Sequence, residues 1–140
     1  MTQSEVRRSA SAKTRVDAIT ERVIGAAIEV HQELGPGLLE AAYEECLARE
    51  FVLRDIPFER QKPVPLTYKG SHVDVDFRLD FLVGGLVVVE LKAVEAIQPI
   101  HEAQVITYLK LARLQVALLI NFNTKILKNG IHRLVLGLEE

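Results

Sequence analysis

The spacing of apolar residues predicts three helices. Apolar positions recur every three or four residues from about Thr14 to Leu34, as on the buried face of a helix, and "GPG" then ends the pattern. A second such pattern runs from about Leu38 to Arg54, and a third begins at Pro99. The predicted inner positions are Val16, Ile19, Val23, Ala27, Val30 and Leu34 in the first helix, Leu39, Tyr43, Cys46, Leu47 and Phe51 in the second, and Ile100, Ala103, Gln104, Thr107, Tyr108 and Leu111 in the third.

Between and after these helices the pattern predicts strands. Pro63 to Tyr68 indicates a short strand, and "KGS" indicates the turn after it. From His72 apolar and polar residues alternate, which predicts a half-buried strand with Val73, Val75, Phe77, Leu79 and Phe81 on one face and Asp74, Asp76, Arg78 and Asp80 on the other. A central strand is predicted from Leu86 to Ala93, a fully buried one at "QVALLINFN" and a last one at "IHRLVLGL".

Length and composition are typical of one ordinary soluble domain, since the chain has 140 residues, of which 49% are hydrophobic and 26% charged. We expect a disordered tail over residues 1–13 and a single domain over residues 14–140. No apolar run approaches the roughly 20 residues that span a bilayer, and the first residues lack the apolar core of a secretory signal. The expected location is therefore the cytoplasm, with no membrane partner.

Charge and cysteine content exclude some functions. A single cysteine, Cys46, excludes an internal disulfide and a multi-cysteine zinc site. The net charge of −2 argues against a DNA-binding protein that acts by electrostatics alone. The basic residues of the tail could contact phosphate, but a short Ser-rich basic terminus is more often simply solvated.

The stretch "DFLVGGLVVVELKA" places Asp80, Glu90 and Lys92 in otherwise apolar strands. If Gly84-Gly85 were a plain two-residue hairpin loop, Asp80 would point away from Glu90. A loop with an odd number of residues, such as Val83-Gly84-Gly85, would bring Asp80 to the face that carries Glu90 and Lys92.

Two interpretations of this cluster remain open at this point. Alternating charges can lie on a solvated face of a sheet and pair across strands, each pair contributing roughly a few tenths of a kcal/mol. Alternatively, the carboxylates of Asp80 and Glu90 bind a hard divalent cation, because Mg²⁺ prefers a few oxygen ligands plus waters. Such a cation lowers the pKa of a bound water and stabilises charge on a phosphoryl group, and Lys92 would support this role.

Three motifs resemble those of known nucleases. Asp80 followed after nine residues by Glu90-Leu91-Lys92 resembles the core motif of the PD-(D/E)XK nuclease superfamily. "GLLEAAY", Gly37 to Tyr43, is similar to the G-x-x-E-x-x-Y signature of the GxxExxY family, whose members resemble these nucleases. "QVITY", Gln104 to Tyr108, is similar to the Q-x-x-x-Y helix motif of exonuclease-like and helicase-associated members. The resemblance covers roughly Ala18 to Val135.

The resemblance implies an α/β fold of the restriction-endonuclease-like type, with a mixed sheet flanked by helices. It further implies Mg²⁺- or Mn²⁺-dependent hydrolysis of phosphodiester bonds in nucleic acid, with DNA favoured. The implied roles are Asp80 and Glu90 as metal ligands, Glu40 as an auxiliary ligand or base, Lys92 as an electrostatic stabiliser, and Gln104, Tyr108, Arg78 and Tyr43 as residues that position substrate.

Other possibilities remain beside this one. Glu40 and Tyr43, three residues apart on a helix, can face the same neighbour, as can Gln104 and Tyr108, four apart. Arg78 could bind phosphate or screen the carboxylates from each other. The competing function is a non-catalytic module of nuclease-like fold that binds nucleic acid or a protein. A homodimer or an accessory protein could supply the grip on nucleic acid.

Overall fold

The protein is described by a computed structural model that covers residues 3–138, with side chains from Ser11 onward. Its elements are α1 (Gln3–Leu34), α2 (Glu40–Leu53), β1 (Phe58–Tyr68), β2 (Ser71–Val83), β3 (Val87–Lys92), α3 (Pro99–Ala112), β4 (Val116–Asn121), a short 3₁₀ helix (Leu127–Gly130) and β5 (Ile131–Val135). No helix within the described residues is long and apolar enough to cross a membrane.

The five strands form one mixed sheet in the order β1-β2-β3-β4-β5. Strands β3 and β4 are parallel, and α3 makes the crossover between them, whereas the other neighbours pair antiparallel. Every residue of β4 is buried, as expected for an inner strand covered on both faces. The predicted α/β fold, a mixed sheet flanked by helices, is confirmed.

The sheet separates two halves of the core. Helices α1 and α2 cover one face, where Val87, Val89 and Leu91 of β3 pack with Tyr43 and Phe51 of α2. Helix α3 covers the other face, where its buried residues Val105 and Leu109 pack with Val88, Ala117 and Leu119. The alternation predicted for β3 therefore assigns its apolar residues to the correct faces, and β3 is the middle strand, as predicted.

The largest differences from the predicted boundaries are at the start of α1 and at the start of β1. Helix α1 begins at Gln3, so residues 3–13 continue the helix where a disordered tail was expected. This stretch contains no Gly or Pro to interrupt a helix, and its Ala, Arg and Lys residues favour one. Residues 1 and 2 and the side chains of Arg7 and Arg8 lie outside the described part. Strand β1 begins at Phe58, because Phe58, Glu59 and Arg60 already pair with the end of β2.

Near the end of β2, the prediction that Leu79 and Phe81 share one face of the sheet is wrong. Leu79 packs on the α3 side and Phe81 on the α1/α2 side, although two residues apart in a regular strand share a face. The irregularity lies at Asp80: the neighbouring pairs are Lys62 with Leu79 and Arg60 with Phe81, and Gln61 between them has a left-handed φ of 53°. This local distortion turns the chain between Leu79 and Phe81.

The face of α3 that packs against the sheet also differs from the predicted one. Val105 and Leu109 are the buried residues of this helix, whereas Ile100 is 71% exposed and Gln104 faces solvent. Apolar residues occur on several sides of α3, so spacing alone did not distinguish the face that meets the sheet.

Candidate active site

The loop between β2 and β3 decides whether the polar residues meet. Strand β2 ends at Val83 and β3 begins at Val87, so the loop is Gly84-Gly85-Leu86. Both glycines have left-handed φ values, +60° and +69°, which few other residues tolerate. Because Phe81 pairs with Val89, Asp80 lies opposite Glu90 one step further along. The loop has an odd number of residues, and it is shifted by one from the predicted Val83-Gly84-Gly85.

Side chains replace the usual ladder hydrogen bonds where Asp80 meets Glu90. The backbone N–H of Asp80 donates to Glu90 Oε2 over 3.3 Å, and the backbone N–H of Leu91 donates to Asp80 Oδ2 over 2.9 Å. Glu90 is only 7% exposed. Its second oxygen, Oε1, has no hydrogen-bond partner in the part of the protein that the structure describes. A buried, unpartnered carboxylate oxygen is costly and indicates a ligand site.

The electrostatics of this pair favour a proton on Glu90. Burial, followed by the adjacent Asp80 side chain, raises the pKa of Glu90 to about 10, although the backbone N–H of Asp80 and the charge of Lys92 act in the opposite direction. Two carboxyl groups at one buried point cannot both ionise cheaply unless a cation neutralises them. The metal-free protein therefore holds Glu90 neutral at pH 7.

A pocket of about 130 Å³ brings together most of the predicted site residues. Strands β2 and β3 each contribute two residues to its lining, α2 contributes its first residue, Glu40, and α3 contributes three residues. The lining residues are Glu40, Arg78, Asp80, Glu90, Lys92, Gln104, Val105 and Tyr108. Of the residues predicted to bind metal or substrate or to take part in catalysis, only Tyr43 is missing from this lining.

Glu40, the first residue of α2, lines the pocket. Desolvation raises the pKa of Glu40, Lys92 lowers it, and the charges of Asp80 and Glu44 raise it further. The charges of Asp80 and Lys92 therefore both act on the Glu40 carboxyl group. Arg60 of β1 anchors α2 in place, because its Nη2 lies 2.8 Å from Glu44 Oε2 and 2.8 Å from Glu45 Oε2.

The predicted pair on α3 is hydrogen-bonded. Gln104 Nε2 donates to the hydroxyl of Tyr108 over 3.1 Å. Burial, and then the charge of Glu90, raise the pKa of the Tyr108 hydroxyl. This tyrosine therefore stays a neutral donor at physiological pH. Arg78 also lines the pocket, and its Nε lies 2.9 Å from Asp76 Oδ1.

Tyr43 does not belong to this pocket. It is fully buried on the α1/α2 side, stacked on Phe122 with ring centroids 4.6 Å apart. Its hydroxyl donates to the carbonyl of Gly35 over 2.7 Å and accepts from the N–H of Leu38 over 3.1 Å. The expectation that Tyr43 positions substrate beside Glu40 is wrong. Tyr43 instead stabilises the "GPG" turn that precedes α2.

Sequence reasoning missed Asn121, a residue of β4 that stabilises the chain next to Lys92. Asn121 is 2% exposed and lies beside Lys92 in the parallel register of β3 and β4. Its amide donates to the carbonyl of Val94 over 2.9 Å and accepts from the N–H of Val94 over 3.1 Å. These bonds hold the chain where it leaves β3 just after Lys92. A polar residue that ends the apolar run "VALLIN" was the available signal.

The donor set fits a divalent cation held by two carboxylates. Within residues 11–138, no three His, Cys, Asp or Glu side chains are close enough to form a metal-binding group, so Glu40 stands apart from the Asp80–Glu90 pair. Mg²⁺ is commonly held by one or two carboxylates together with waters and substrate phosphates. The unpartnered Oε1 of Glu90 and the adjacent Asp80 carboxylate satisfy that requirement.

Comparison with known proteins agrees with this geometry. Residues 17–134 match the family model of the PD-(D/E)XK nuclease superfamily. Because that match covers most of the chain, the protein belongs to this superfamily, whose members are generally nucleases that use divalent metals. No curated protein and no solved structure gave a significant match.

Proposed function

We propose that this protein hydrolyses phosphodiester bonds in nucleic acid, DNA being favoured, with Mg²⁺ or Mn²⁺ bound at Asp80 and Glu90. The observation that carries the proposal is the carboxylate pair at the β2–β3 junction, where Glu90 Oε1 is buried and has no hydrogen-bond partner among the described residues. A solvated sheet face, the alternative interpretation of these charges, does not account for a glutamate that is 7% exposed.

Asp80 and Glu90 would hold the cation. When bound, a divalent cation supplies stabilisation of phosphoryl charge and a lower pKa for a nearby water. The N–H of Leu91, which donates to Asp80 Oδ2, would orient the Asp80 carboxylate for this role. Glu90 must give up its proton on binding, because burial and Asp80 raise its pKa to about 10.

The other pocket residues would act on the substrate itself. Lys92, beside the carboxylates, would donate hydrogen bonds to the phosphoryl oxygens and offset the negative charge that develops on them. Glu40, whose pKa is raised by desolvation, would accept a proton from the attacking water. The Gln104–Tyr108 pair and Arg78 would position the phosphate.

We also propose the finer assignments that the motifs suggest. The G-x-x-E-x-x-Y sequence from Gly37 to Tyr43 supports membership of the GxxExxY family. Its glutamate lies at the pocket and its tyrosine stabilises the turn before it. A homodimer or accessory protein, and a cytoplasmic location, stay predictions.

The test is a cleavage time course on labelled single- and double-stranded DNA and RNA with Mg²⁺ or Mn²⁺. We expect metal-dependent cleavage by the wild type and at least 100-fold slower cleavage by Glu90→Gln and Lys92→Ala, a magnitude typical for removal of an electrostatic contributor. Matched controls are Glu59→Gln and Lys110→Ala, which alter exposed residues outside the pocket. Equal cleavage by all variants would contradict the site. Inactivity of the folded wild type on every substrate would favour the non-catalytic module.

A further inference from the structure

A second cavity, of about 250 Å³, lies between the end of α1 and the segment that joins β4 to β5. Its polar lining consists of the buried His31 and the exposed Gln32 of α1, together with the exposed Lys125 and Lys128 of that segment. Three aliphatic side chains complete the lining, and none of the described residues that line it is an aspartate or a glutamate. We call this feature the lysine cavity.

The charge of this region is opposite to that of the chain as a whole. Residues 113–138 contain four Lys or Arg residues and no Asp or Glu, although the net charge of the protein is −2. In the described part of the chain, neither Lys125 nor Lys128 forms a salt bridge. Glu29 and Glu33 of α1 line a different cavity, between α1 and α2. Both ammonium groups are therefore available to an anion.

The backbone that carries the two lysines is fixed by contacts with the rest of the domain. The carbonyl of Thr124 accepts a hydrogen bond from His31 Nε2 over 2.7 Å, and the Thr124 hydroxyl donates to the carbonyl of Ile126 over 3.1 Å. At the far end of the segment, Gly130 packs so closely that a Cβ there would collide with the carbonyl of Asn121. A site held in this way loses little backbone freedom when a ligand binds.

The lysine cavity and the candidate active site lie at the same edge of the sheet. The segment that carries the lysines begins at Phe122, whose N–H donates to the carbonyl of Lys92 over 2.9 Å. Lys125 follows three residues later, and three residues span at most about 11 Å. Successive phosphates of one strand advance about 3.4 Å along a duplex axis. A nucleic acid with one phosphate at Lys92 therefore has further phosphates within reach of Lys125.

We propose that the lysine cavity binds a backbone phosphate of the nucleic acid that enters the candidate active site, through the ammonium groups of Lys125 and Lys128 and the amide of Gln32. This inference rests on the proposed function only in taking nucleic acid as the anion. A free phosphate ion has the same chemistry, and binding experiments distinguish the two. Contacts to phosphates fix the position of a nucleic acid without reading its sequence.

The test measures binding in EDTA, so it does not depend on cleavage. Labelled single- and double-stranded DNA and RNA are titrated with the protein at several salt concentrations. The variants are Lys125→Ala, Lys128→Ala and the double variant, all at exposed positions where substitution retains the fold. The matched control is Lys110→Ala, an exposed lysine in the last turn of α3. A second control, the double Lys→Arg variant at residues 125 and 128, keeps both charges.

A phosphate contact contributes about 0.9 to the slope of log affinity against log salt for duplex DNA, and about 0.7 for single strands. We expect each single variant to lower the slope by about that amount and the affinity at 0.1 M salt by about 5- to 10-fold, equally for all sequences. The double variant should lose about 25- to 100-fold. Lys110→Ala and the double arginine variant should bind as the wild type does.

Three results would overturn the inference. The first is unchanged affinity and salt slope in the double alanine variant, and the second is the absence of nucleic-acid binding by the wild type. The third is saturable binding of inorganic phosphate that requires the two lysines while nucleic-acid affinity does not, which would assign the cavity to a free anion.

The binding and cleavage experiments fail separately. Nucleic-acid binding that depends on Lys125 and Lys128, in a protein that cleaves nothing, would retain the lysine cavity and reject the proposed hydrolysis. Metal-dependent cleavage with unchanged KM in the double alanine variant would retain the hydrolysis and reject the inference.

Discussion

Asp80 and Glu90 face each other across the β2–β3 hairpin, and each is tied to the opposite strand. The N–H of Asp80 donates to the Glu90 carboxyl group, and the Asp80 carboxylate accepts from the N–H of Leu91. Two acidic groups are thereby held close together, one of them buried, and a proton on Glu90 relieves their repulsion. The pH dependence, the metal dependence and the stability of the protein follow from this arrangement.

We first predict that metal-free protein loses stability as the pH rises. The pKa of Glu90 is about 10 in the folded protein, above its ordinary value of 4.5, so the folded state holds this proton more tightly than the unfolded state. The stabilisation is fully present below pH 4.5 and is lost progressively up to pH 10. The free energy of unfolding should fall by at most ~1.4 kcal/mol per pH unit from this group.

Glu90→Gln isolates that contribution. Glutamine mimics the protonated carboxyl group, so the variant should show a flatter profile and exceed the wild type in stability at pH 8 in EDTA. Urea unfolding from pH 5 to pH 9 measures this. Parallel pH profiles for the two proteins would show that Glu90 is ionised in the folded state.

We next predict that Mn²⁺ or Mg²⁺ stabilises the wild type. A ligand at 100 times its dissociation constant adds ~2.7 kcal/mol, which corresponds to a rise in melting temperature of about 5–10 °C for a domain of this size. The rise should be larger at pH 8 than at pH 6, because the cation must displace the proton of Glu90. EDTA should reverse it.

The control for metal binding lies on the same strand. Asp80→Asn should abolish the metal-dependent rise, whereas Asp74→Asn, at an exposed position of β2, should leave it intact. Thermal unfolding with and without about 5 mM metal distinguishes the two variants. An equal rise in both variants would locate the cation elsewhere.

A third prediction separates the two motif tyrosines. Tyr43→Phe keeps the ring stack on Phe122 but leaves the carbonyl of Gly35 and the N–H of Leu38 without their partner. It should lower the free energy of unfolding by about 1–3 kcal/mol. Tyr108→Phe removes only a partly exposed hydroxyl bonded to Gln104, so it should change stability little and lower cleavage.

Denaturation and cleavage assays on both variants test this contrast. Stability loss confined to Tyr108→Phe, or a cleavage defect in Tyr43→Phe at a temperature where it is fully folded, would contradict the separation of roles.

The last prediction concerns Asn121. Asn121→Ala removes the buried amide that bonds to both backbone groups of Val94, and it should cost about 2–4 kcal/mol of unfolding free energy. Asn123 retains one bond to the Val94 carbonyl, at 3.3 Å, so the segment is not left wholly unsupported. Asn129→Ala, at an exposed position of the 3₁₀ helix, is the control. Chemical denaturation of both variants provides the measurement, and equal stability would contradict the role of Asn121.

The sequence pattern predicted most of the architecture, because the spacing of apolar residues indicates which side of a helix or strand is buried. The unbroken apolar run in β4 and the alternation in β3 indicated two inner strands correctly. The pattern failed where a tertiary contact overrode local periodicity. Leu79 and Phe81 separate because the chain is distorted at Asp80 beside Gln61, and α3 turns Val105 rather than Gln104 toward the sheet.

The chemistry of the candidate site was readable from the sequence, but its assembly was not. Acidic residues, a lysine and a Gln/Tyr pair identified what could react, and the glycine loop left two registers open. Only the folded hairpin decided that Asp80 opposes Glu90, since a shift of one residue in a loop exchanges the faces of a strand. The signature in α2 shows the same limit. Helical spacing let Glu40 and Tyr43 share a neighbour, whereas packing against Phe122 placed the tyrosine in the core and left only the glutamate at the pocket.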